Sequence, residues 1–440
     1  MHTYVIIGAG AAGISAAQTI RGRNKSGQIT IIHAEPEGYY SRPGLAYYLT
    51  GEIPEKQLFP YKANELANEQ LNFLRAEVVS VNPSARYIEL ADGRRITYDK
   101  LLIATGSRAH IPNIPGASGD GVVKLDSIAD ARNIIKRAGK ARSAVVVGGG
   151  ITALEIVEGL RTHGVKTHYL LRKDRYWSNV LDPVESKIVE KRLQEEGVKL
   201  HYYAELSEIN LKNGRVIGVT IDNGEKILCE MVAIAIGVQP NITFLKNSGI
   251  DLDKGVLVSD KMQTNFPEVY AAGDIAQVND PITGKGRMDV LWGTARDQGI
   301  IAGSNMAGVE ISYSKSASLN VTRLAGLTTT IIGKIGSTGE TDPDMIAISR
   351  GDSESWRIRP DGILAQQGFD VNRLRLYVSD RWIMGASVMG DQTLSWPLQK
   401  IIANNIDITN IKTKLTQADT NLPEIIASFW ENRRIQHAAP

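Results

Sequence analysis

A glycine-rich loop near the start of the chain has the spacing Gly8-x-Gly10-x-x-Gly13 and follows the apolar run Tyr4–Ile7. Gly8 permits a tight turn out of a strand, Gly10 lets the backbone approach a pyrophosphate, and Gly13 lets the next helix pack closely on the strand. The unpaired amides at the start of that helix then point at the phosphates. The loop therefore predicts a dinucleotide-binding cradle. The residues predicted to form it are Gly8, Gly10, Ala11, Ala12 and Gly13.

A carboxylate follows the next predicted strand. The run Ile29–His33 ends just before Glu35, which is placed to accept hydrogen bonds from an adenosine ribose. The alternative is a glycine turn with a solvated glutamate. The order of strand, glycine loop, helix and acid favours the nucleotide site.

A second loop repeats this pattern as Gly148-x-Gly150-x-x-Ala153, about 140 residues further along the chain. It also follows an apolar run and begins a helical pattern, so it predicts a second nucleotide site. Ile151 and Thr152 lie within the loop, and we expect Ile151 nearest to the incoming nicotinamide. Glu155 is either a partner of the helix dipole or a residue that pairs on the flavin side.

Basic residues follow the strand Thr167–Leu171, namely Arg172 and Lys173. An acid at this strand end would pair with the ribose hydroxyl of NAD, whereas basic residues bind the 2′-phosphate of NADP. A charge run of this kind is also typical of a solvated loop. We therefore expect NADPH or NADH, with a preference for NADPH.

The two strand–loop–helix units predict an α/β protein with two Rossmann-like domains. Beyond Leu319, short apolar runs alternate with turns and predict a separate C-terminal α+β domain, after a linker at Ser312–Ser318. The predicted elements of this tail are strands at Leu327–Ile332, Trp356–Ile358, Leu374–Val378 and Trp382–Val388, and a helix at Leu394–Ala403.

Composition excludes several classes of function. The chain has 440 residues and a net charge of +2, which gives no sign of a nucleic-acid partner. Its single cysteine, Cys229, excludes an internal disulfide or a multi-thiolate metal site, and we expect a buried structural thiol. The scattered histidines predict no metal site. No apolar run is long enough to span a membrane, and the sparse cysteine suits a cytoplasmic protein.

Three further segments resemble the pyridine-nucleotide–disulfide oxidoreductase superfamily. Leu101–Gly106 is similar to the family's crossover out of the FAD domain, Ala233–Asn241 to the crossover back, and Tyr270–Asp274 to its second FAD motif. The resemblance implies FAD as cofactor, with Asp274 on the ribitol chain and a helix near Trp292–Ala302 directing its amides at the flavin. The residues added to the predicted site are Ala104, Thr105, Gly106, Gly237, Gly273, Asp274, Trp292, Thr294 and Ala295.

The resemblance also implies the domain boundaries. The FAD domain would comprise residues 1–115 and 243–315, the NAD(P) domain residues 116–242, and the C-terminal domain residues 319–440. A dimer built through this last domain is implied in the same way. Three tryptophans there, Trp382, Trp396 and Trp430, suit core packing or a subunit interface better than a docking patch.

The segment Tyr39–Leu45 and the tail motif Leu319–Gly326 resemble the rubredoxin, ferredoxin and nitrite reductase branch. This implies that Arg42 lies near the flavin or its phosphates. The reactive cysteine of the disulfide-reducing members corresponds to Pro43, which cannot act as a nucleophile. Ferredoxin-reductase members of this branch often have Ser-Lys after the Arg-Pro segment, where this chain has Ala46-Tyr47. The resemblance therefore implies no lysine partner for Glu155.

Without a thiol relay, we expect hydride from NAD(P)H to reach FAD and the electrons to pass to a redox protein or partner subunit. Alignment of the nicotinamide with the flavin would carry this step, without catalytic acid–base side chains. Two alternatives remain open: an NAD(P)H oxidase that uses oxygen, and a nucleotide-sensing flavoprotein that acts through partner binding.

Overall fold

The computed structural model describes residues 2–61, 65–279, 286–314, 317, 319–333, 372–379, 381–417 and 420–438. The strand predicted at Trp356–Ile358 lies outside these residues.

The strands and helices are named in chain order. The strands are β1 (Thr3–Ile7), β2 (Gln28–His33), β3 (Leu71–Arg75), β4 (Val78–Asn82), β5 (Tyr87–Leu90), β6 (Arg95–Thr97), β7 (Lys100–Ile103), β8 (Ser107–Ala109), β9 (Val122–Val123), β10 (Ser143–Val147), β11 (Lys166–Leu171), β12 (Lys199–Tyr202), β13 (Leu206–Lys212), β14 (Arg215–Ile221), β15 (Lys226–Leu228), β16 (Met231–Ile234), β17 (Val238–Pro240), β18 (Val256–Val258), β19 (Val269–Ala271), β20 (Ala276–Asn279), β21 (Gly286–Met288), β22 (Leu319–Leu324), β23 (Leu327–Gly333), β24 (Arg373–Val378) and β25 (Ile383–Met389). The α-helices are α1 (Ala11–Arg23), α2 (Leu45–Leu49), α3 (Glu65–Asn68), α4 (Ile128–Ala138), α5 (Ile151–Thr162), α6 (Pro183–Glu195), α7 (Trp292–Met306), α8 (Ser395–Ala403), α9 (Thr409–Thr416) and α10 (Leu422–Ala438).

The first nucleotide loop lies at the edge of a parallel sheet with the strand order β19-β7-β1-β2-β3. Its central strands are largely apolar and share one core with α1, with α7 and with the antiparallel sheet β4-β5-β6, which contributes Val81, Ile88 and Leu90. The chain returns to this sheet late, since β19 pairs with β7. Helix α7 then packs tightly on α1, where an added Cβ on Gly299 would lie 2.3 Å from the carbonyl oxygen of Ala12.

A second parallel sheet, β12-β11-β10-β16-β9, carries the second loop at the end of β10. The antiparallel strands β13, β14 and β15 extend this region. The two crossovers between the sheets pair with each other as an antiparallel ribbon of β8 and β17, in which Ala109 opposes Val238. The two parallel sheets confirm the predicted α/β class with two Rossmann-like units.

The C-terminal region is an antiparallel sheet, β22-β23-β25-β24, with α8 packed on β23 and β25. This confirms its α+β character. The hairpin turn between β22 and β23 is formed by Ala325 and Gly326, both with positive φ. The sequence analysis did not predict β22, α9 or α10. None of the described helices is long and apolar enough to cross a membrane.

Candidate active site

A cavity of about 520 Å³ opens at the carboxyl ends of β1, β2 and β7, which is where ligands bind in open α/β sheets. It is bounded by the first glycine loop, the two crossovers and the start of α7. The sequence-predicted residues that line it are Gly8, Gly10, Ala11, Ala12, Glu35, Arg42, Ala104, Thr105, Gly106, Gly273, Asp274, Trp292 and Ala295.

The first loop has the geometry that its glycines predict. Gly8 has φ +114°, and an added Cβ would lie 2.1 Å from the carbonyl oxygen of Ala104. A Cβ on Gly13 would lie 2.0 Å from the carbonyl oxygen of Gly8, so Gly13 serves helix packing and lies behind the cavity wall. Nothing lies within 4 Å of a Cβ on Gly10, the N-cap of α1. The amides at this helix start therefore face open space that suits a pyrophosphate.

Glu35 is held by two neighbours at the adenosine end of the cavity. Its carboxylate accepts a hydrogen bond of 2.6 Å from the Tyr40 hydroxyl and forms an ion pair with Arg42, which also donates to the Asp126 carbonyl. Burial chiefly raises the pKa of Tyr40, so its hydroxyl stays protonated. Burial alone would lower the pKa of Arg42, but Tyr40 and Glu35 raise it. The carboxylate is thus fixed and retains lone pairs for a ribose.

The crossovers form the wall beside the second FAD motif. Asn241 donates through Nδ2 to the Thr105 carbonyl at 3.0 Å, and the Thr105 hydroxyl donates to the Asn241 carbonyl at 3.2 Å. Asp274 accepts a hydrogen bond of 2.6 Å from Ser107. The two crossovers and the Asp274 loop are therefore locked together around the cavity.

Helix α7 directs its start at the same cavity. Its N-cap is Leu291, whose apolar side chain cannot accept a hydrogen bond, so no N-cap side chain satisfies the first amides. Trp292 and Ala295 line the wall. Thr294 does not line it, because its side chain hydrogen-bonds Tyr313. The prediction that remains for Thr294 is that its backbone amide contacts the flavin.

The second loop repeats the turn of the first. Gly148 has φ +141°, and an added Cβ would lie 2.1 Å from the carbonyl oxygen of Ala235. Gly150, the N-cap of α5, is followed by Thr152 and Ala153 on the first turn of that helix. Gly237, with φ +123°, lies just beyond the end of β16. This cradle lies outside the main cavity.

Ile151 and Glu155 do not line the main cavity either. Ile151 is 1% exposed and packs in the core, so its side chain is not open to a nicotinamide in this arrangement. Glu155 is 6% exposed and is the fifth residue of α5. Its charge raises the pKa of Tyr47, which burial raises most strongly. Glu155 therefore lies near Tyr47.

Arg172 and Lys173 are exposed at the carboxyl end of β11. Lys173 donates to the Asn179 side chain at 3.0 Å. In the described part of the chain, nothing pairs with the Arg172 guanidinium. Arg172 is therefore available for a phosphate group.

Sequence reasoning missed several cavity residues. Tyr40, Ser107 and Asp126 line the cavity and bond predicted site residues, as does Asn241. Tyr40 lies within the segment Tyr39–Leu45 and Ser107 directly follows Leu101–Gly106, so both were a usable signal. Asp126 gave none, since its contact with Arg42 spans the domains.

Pro43 is the position that the family resemblance aligns with the reactive cysteine of disulfide-reducing members. Pro43 is buried in the cavity wall. The one cysteine of the chain, Cys229, is 2% exposed in a separate core, and burial raises its pKa to about 12. This confirms the predicted structural thiol and leaves the cavity without a sulfur nucleophile.

The residues present fit FAD. The open helix start at Gly10 suits its pyrophosphate, Glu35 its ribose, and Asp274 its ribitol chain. The start of α7 suits the electron-rich flavin pyrimidine ring.

Comparisons with known proteins agree with this fit. A family model described as pyridine nucleotide-disulphide oxidoreductase matches residues 2–299. An NADH oxidase of Methanocaldococcus jannaschii is 33% identical over 347 residues, covering 77% of this chain and 76% of that protein. A rubredoxin-NAD(+) reductase of Pseudomonas putida is 30% identical over 304 residues, covering 68% of this chain and 79% of that protein.

A solved ferredoxin reductase from Rhodopseudomonas palustris has the same fold, with a TM-score of 0.81 at 22% identity over 96% of this chain and 99% of that chain. Together, the matched family model and the similar relatives confirm the resemblance that the glycine loops and crossovers predicted. The chain belongs to the pyridine nucleotide-disulphide oxidoreductase family and is an FAD- and NAD(P)H-dependent oxidoreductase.

Proposed function

We propose that this oxidoreductase passes electrons from NAD(P)H through FAD to a one-electron redox protein. The observation that carries the proposal is Pro43 in the cavity wall, at the position that the family resemblance aligns with the reactive cysteine of disulfide-reducing members. The rubredoxin-NAD(+) reductase of Pseudomonas putida is named for an acceptor of this kind. Reduction of a disulfide acceptor through a thiol relay would need a cysteine, and the lining of this cavity contains none.

When bound, FAD would supply hydride-accepting chemistry toward a nicotinamide and one-electron chemistry toward a redox protein. The chain's own residues bind and orient. The amides at the starts of α1 and α5 would hold the two pyrophosphates, and Glu35 would hold the adenosine ribose. The start of α7 would favour negative charge on the flavin ring. Arg42, fixed by Glu35, would complete the cavity wall near the phosphates.

We also propose NADPH as the preferred nucleotide. Its support is Arg172, an exposed cation that lies where a 2′-phosphate would reach the end of β11. A guanidinium matches a phosphate in bidentate geometry. The names of the relatives mention NAD and NADH as well as NAD(P)H, so both nucleotides belong in every assay.

Anaerobic mixing of the purified flavoprotein with NADPH, followed by oxidised rubredoxin or a [2Fe–2S] ferredoxin, tests the electron path. We expect the flavin absorbance to fall and then recover as the acceptor is reduced. A flavin that NAD(P)H never reduces would refute the function. A Cys229→Ala variant is the matched control, and we expect unchanged turnover because that thiol is buried away from the cavity.

A second candidate is reduction of oxygen, which the NADH oxidase of Methanocaldococcus jannaschii favours by its name. Rapid formation of peroxide or water in stoichiometric amounts, unaffected by added rubredoxin, would support it. The site residues are the same for both candidates, so only the acceptor assay separates them.

We further propose a cytoplasmic protein that forms a homodimer through its C-terminal domain. The reduced, buried Cys229 is compatible with that compartment. Sedimentation of the holoenzyme tests the dimer.

A further inference from the structure

The hairpin turn between β22 and β23 contacts elements on both sides of the active site. Arg323 on β22 forms a bidentate ion pair with Glu52, which lies beyond the end of α2; the contact to Oε2 is 2.6 Å. The Gly326 amide donates to Glu158 on α5 at 3.3 Å. Arg192 on α6 donates through Nε to the Ala325 carbonyl at 2.8 Å. The turn is therefore anchored by polar contacts to three helical regions.

The helices α2 and α5 connect this turn to the two cradles. Helix α2 begins two residues after Pro43, which lines the flavin cavity. Helix α5 begins at the second nucleotide loop. The two helices are in close contact, since a Cβ added to Gly159 on α5 would lie 3.0 Å from the Cβ of Leu49 on α2. A change in the angle between them would move the flavin wall relative to the nicotinamide nucleotide.

Charges at this junction converge on Arg323. Its guanidinium carbon lies 5.7 Å from the centroid of the Tyr47 ring on α2. The carboxylates of Glu52 and Glu158 both stabilise its charge. Tyr47 lies in turn within the field of Glu155. Arg323 is thus a cation of the C-terminal sheet that pairs with Glu52 after α2, lies over Tyr47 on α2 and attracts Glu158 on α5.

We propose that Arg323 is a positioning residue for hydride transfer, which keeps α2 against α5 and so keeps the flavin wall aligned with the nucleotide loop. This inference rests on the proposed electron path through both cradles. Hydride transfer depends on alignment of the reacting rings within a fraction of an ångström, so a small helix shift lowers its rate more than it lowers affinity.

Rapid-mixing measurements on the Arg323→Met holoenzyme test this role. We expect the rate constant of flavin reduction at saturating NADPH to fall ~10-fold and the Kd for NADPH to change less than ~3-fold. The reason is that Arg323 aligns the flavin wall with the nucleotide loop but does not bind the nucleotide. Arg323→Lys keeps the charge but not the bidentate fork, and we expect an intermediate rate. Backbone amide hydrogen exchange, which can be measured without turnover, should be faster in α2 and in the first turns of α5 of the Arg323→Met variant than in the wild type.

The matched control is Arg373→Met, which removes an ion pair of 2.7 Å between the same sheet and Asp182 but touches neither α2 nor α5. A control that slows flavin reduction as much as Arg323→Met would overturn the inference, and so would unchanged rates in both variants. If Arg323→Met does not fold, Arg323→Lys decides by the same two measurements. If the wild-type flavin is never reduced, the proposed function fails and the role in hydride transfer fails with it, whereas the exchange measurement still shows whether Arg323 holds α2 against α5.

Discussion

Gly8 and Gly148 occupy equivalent places in the two cradles. An added Cβ would lie 2.1 Å from a carbonyl oxygen in each case, that of Ala104 in the first and that of Ala235 in the second. The surroundings differ, because the first loop lines a cavity of about 520 Å³ that α7 closes, whereas the second loop lies outside it. On the proposed function, the same loop design would hold a retained cofactor in the enclosed cradle and an exchanging nucleotide in the open one.

The charges at the neighbouring strand ends differ as well. Glu35 follows β2 and is fixed by Arg42 and Tyr40, whereas Arg172 follows β11 and is free to meet a ligand. The helices also differ, since α1 contains no acidic residue and α5 contains Glu155 and Glu158. These differences can be tested by equivalent changes in the two cradles.

The largest expected effect is that of alanine at the first glycine of each loop. Gly8→Ala should lower the free energy of unfolding by about 3 kcal/mol or more and abolish FAD retention, because positive φ and the carbonyl clash combine. Gly148→Ala should retain FAD but raise the Kd for NADPH ~100-fold. Flavin content and nucleotide titration measure the two outcomes. Equal loss of FAD in both variants would contradict the comparison.

A substitution at the third small residue of each loop should change stability less in the second cradle than in the first. A Cβ on Gly13 would lie 2.0 Å from the Gly8 carbonyl oxygen, whereas the second cradle already accommodates the Cβ of Ala153. We expect Gly13→Ala to cost about 2 kcal/mol of unfolding free energy and Ala153→Gly about 1 kcal/mol, the latter through helix propensity. Urea unfolding of the two variants checks the order, and a reversed order would be the contrary result.

Arg172→Ala should lower kcat/KM for NADPH ~30-fold and leave kcat/KM for NADH nearly unchanged, because only NADPH has a phosphate at that position. Steady-state kinetics with both nucleotides measures the ratio. Lys173→Ala is the control: we expect a smaller change, since that amine also bonds Asn179. An Arg172→Ala enzyme with the wild-type preference would remove the case for NADPH.

The smallest expected effect is the pH dependence of stability that the Glu158 carboxylate on α5 causes. Burial raises the pKa of Glu158 to about 7 from the ordinary value of 4.5. Its contribution to stability is therefore fully present below about pH 4.5 and is lost as the pH rises through about 7. Glu158→Gln should therefore raise the free energy of unfolding more at pH 8 than at pH 5. Because the side chain is partly exposed, we expect this difference to be only about 1 kcal/mol.

Thermal or urea unfolding at the two pH values measures this difference. The matched control is Glu195→Gln on α6, which removes a carboxylate whose side chain is 63% exposed and should leave the pH dependence of stability close to that of the wild type. A wild-type protein whose stability does not fall between pH 5 and pH 8 would contradict the raised pKa of Glu158.

The sequence predicted the loops and the strands that precede them because glycine spacing and apolar runs are local signals. Helix α7 begins at Trp292, as predicted. Strand β22 was missed because two of its buried positions, Asn320 and Thr322, are polar and reverse the usual alternation. Contacts such as Ser107 with Asp274 join residues far apart in the chain, and a single sequence gives no pairing signal for them.

The ribbon of β8 and β17 places the entrance and the exit of the middle unit side by side, with Ala109 opposite Val238. A two-residue hairpin turn would span the gap between these paired strand ends. The segment between Ala109 and Val238 is therefore inserted between two adjacent strand ends. Removing or exchanging it would not stretch the backbone of the unit that contains the first glycine loop. Such adjacent ends explain how one ancestral nucleotide fold can accommodate another with only two covalent junctions.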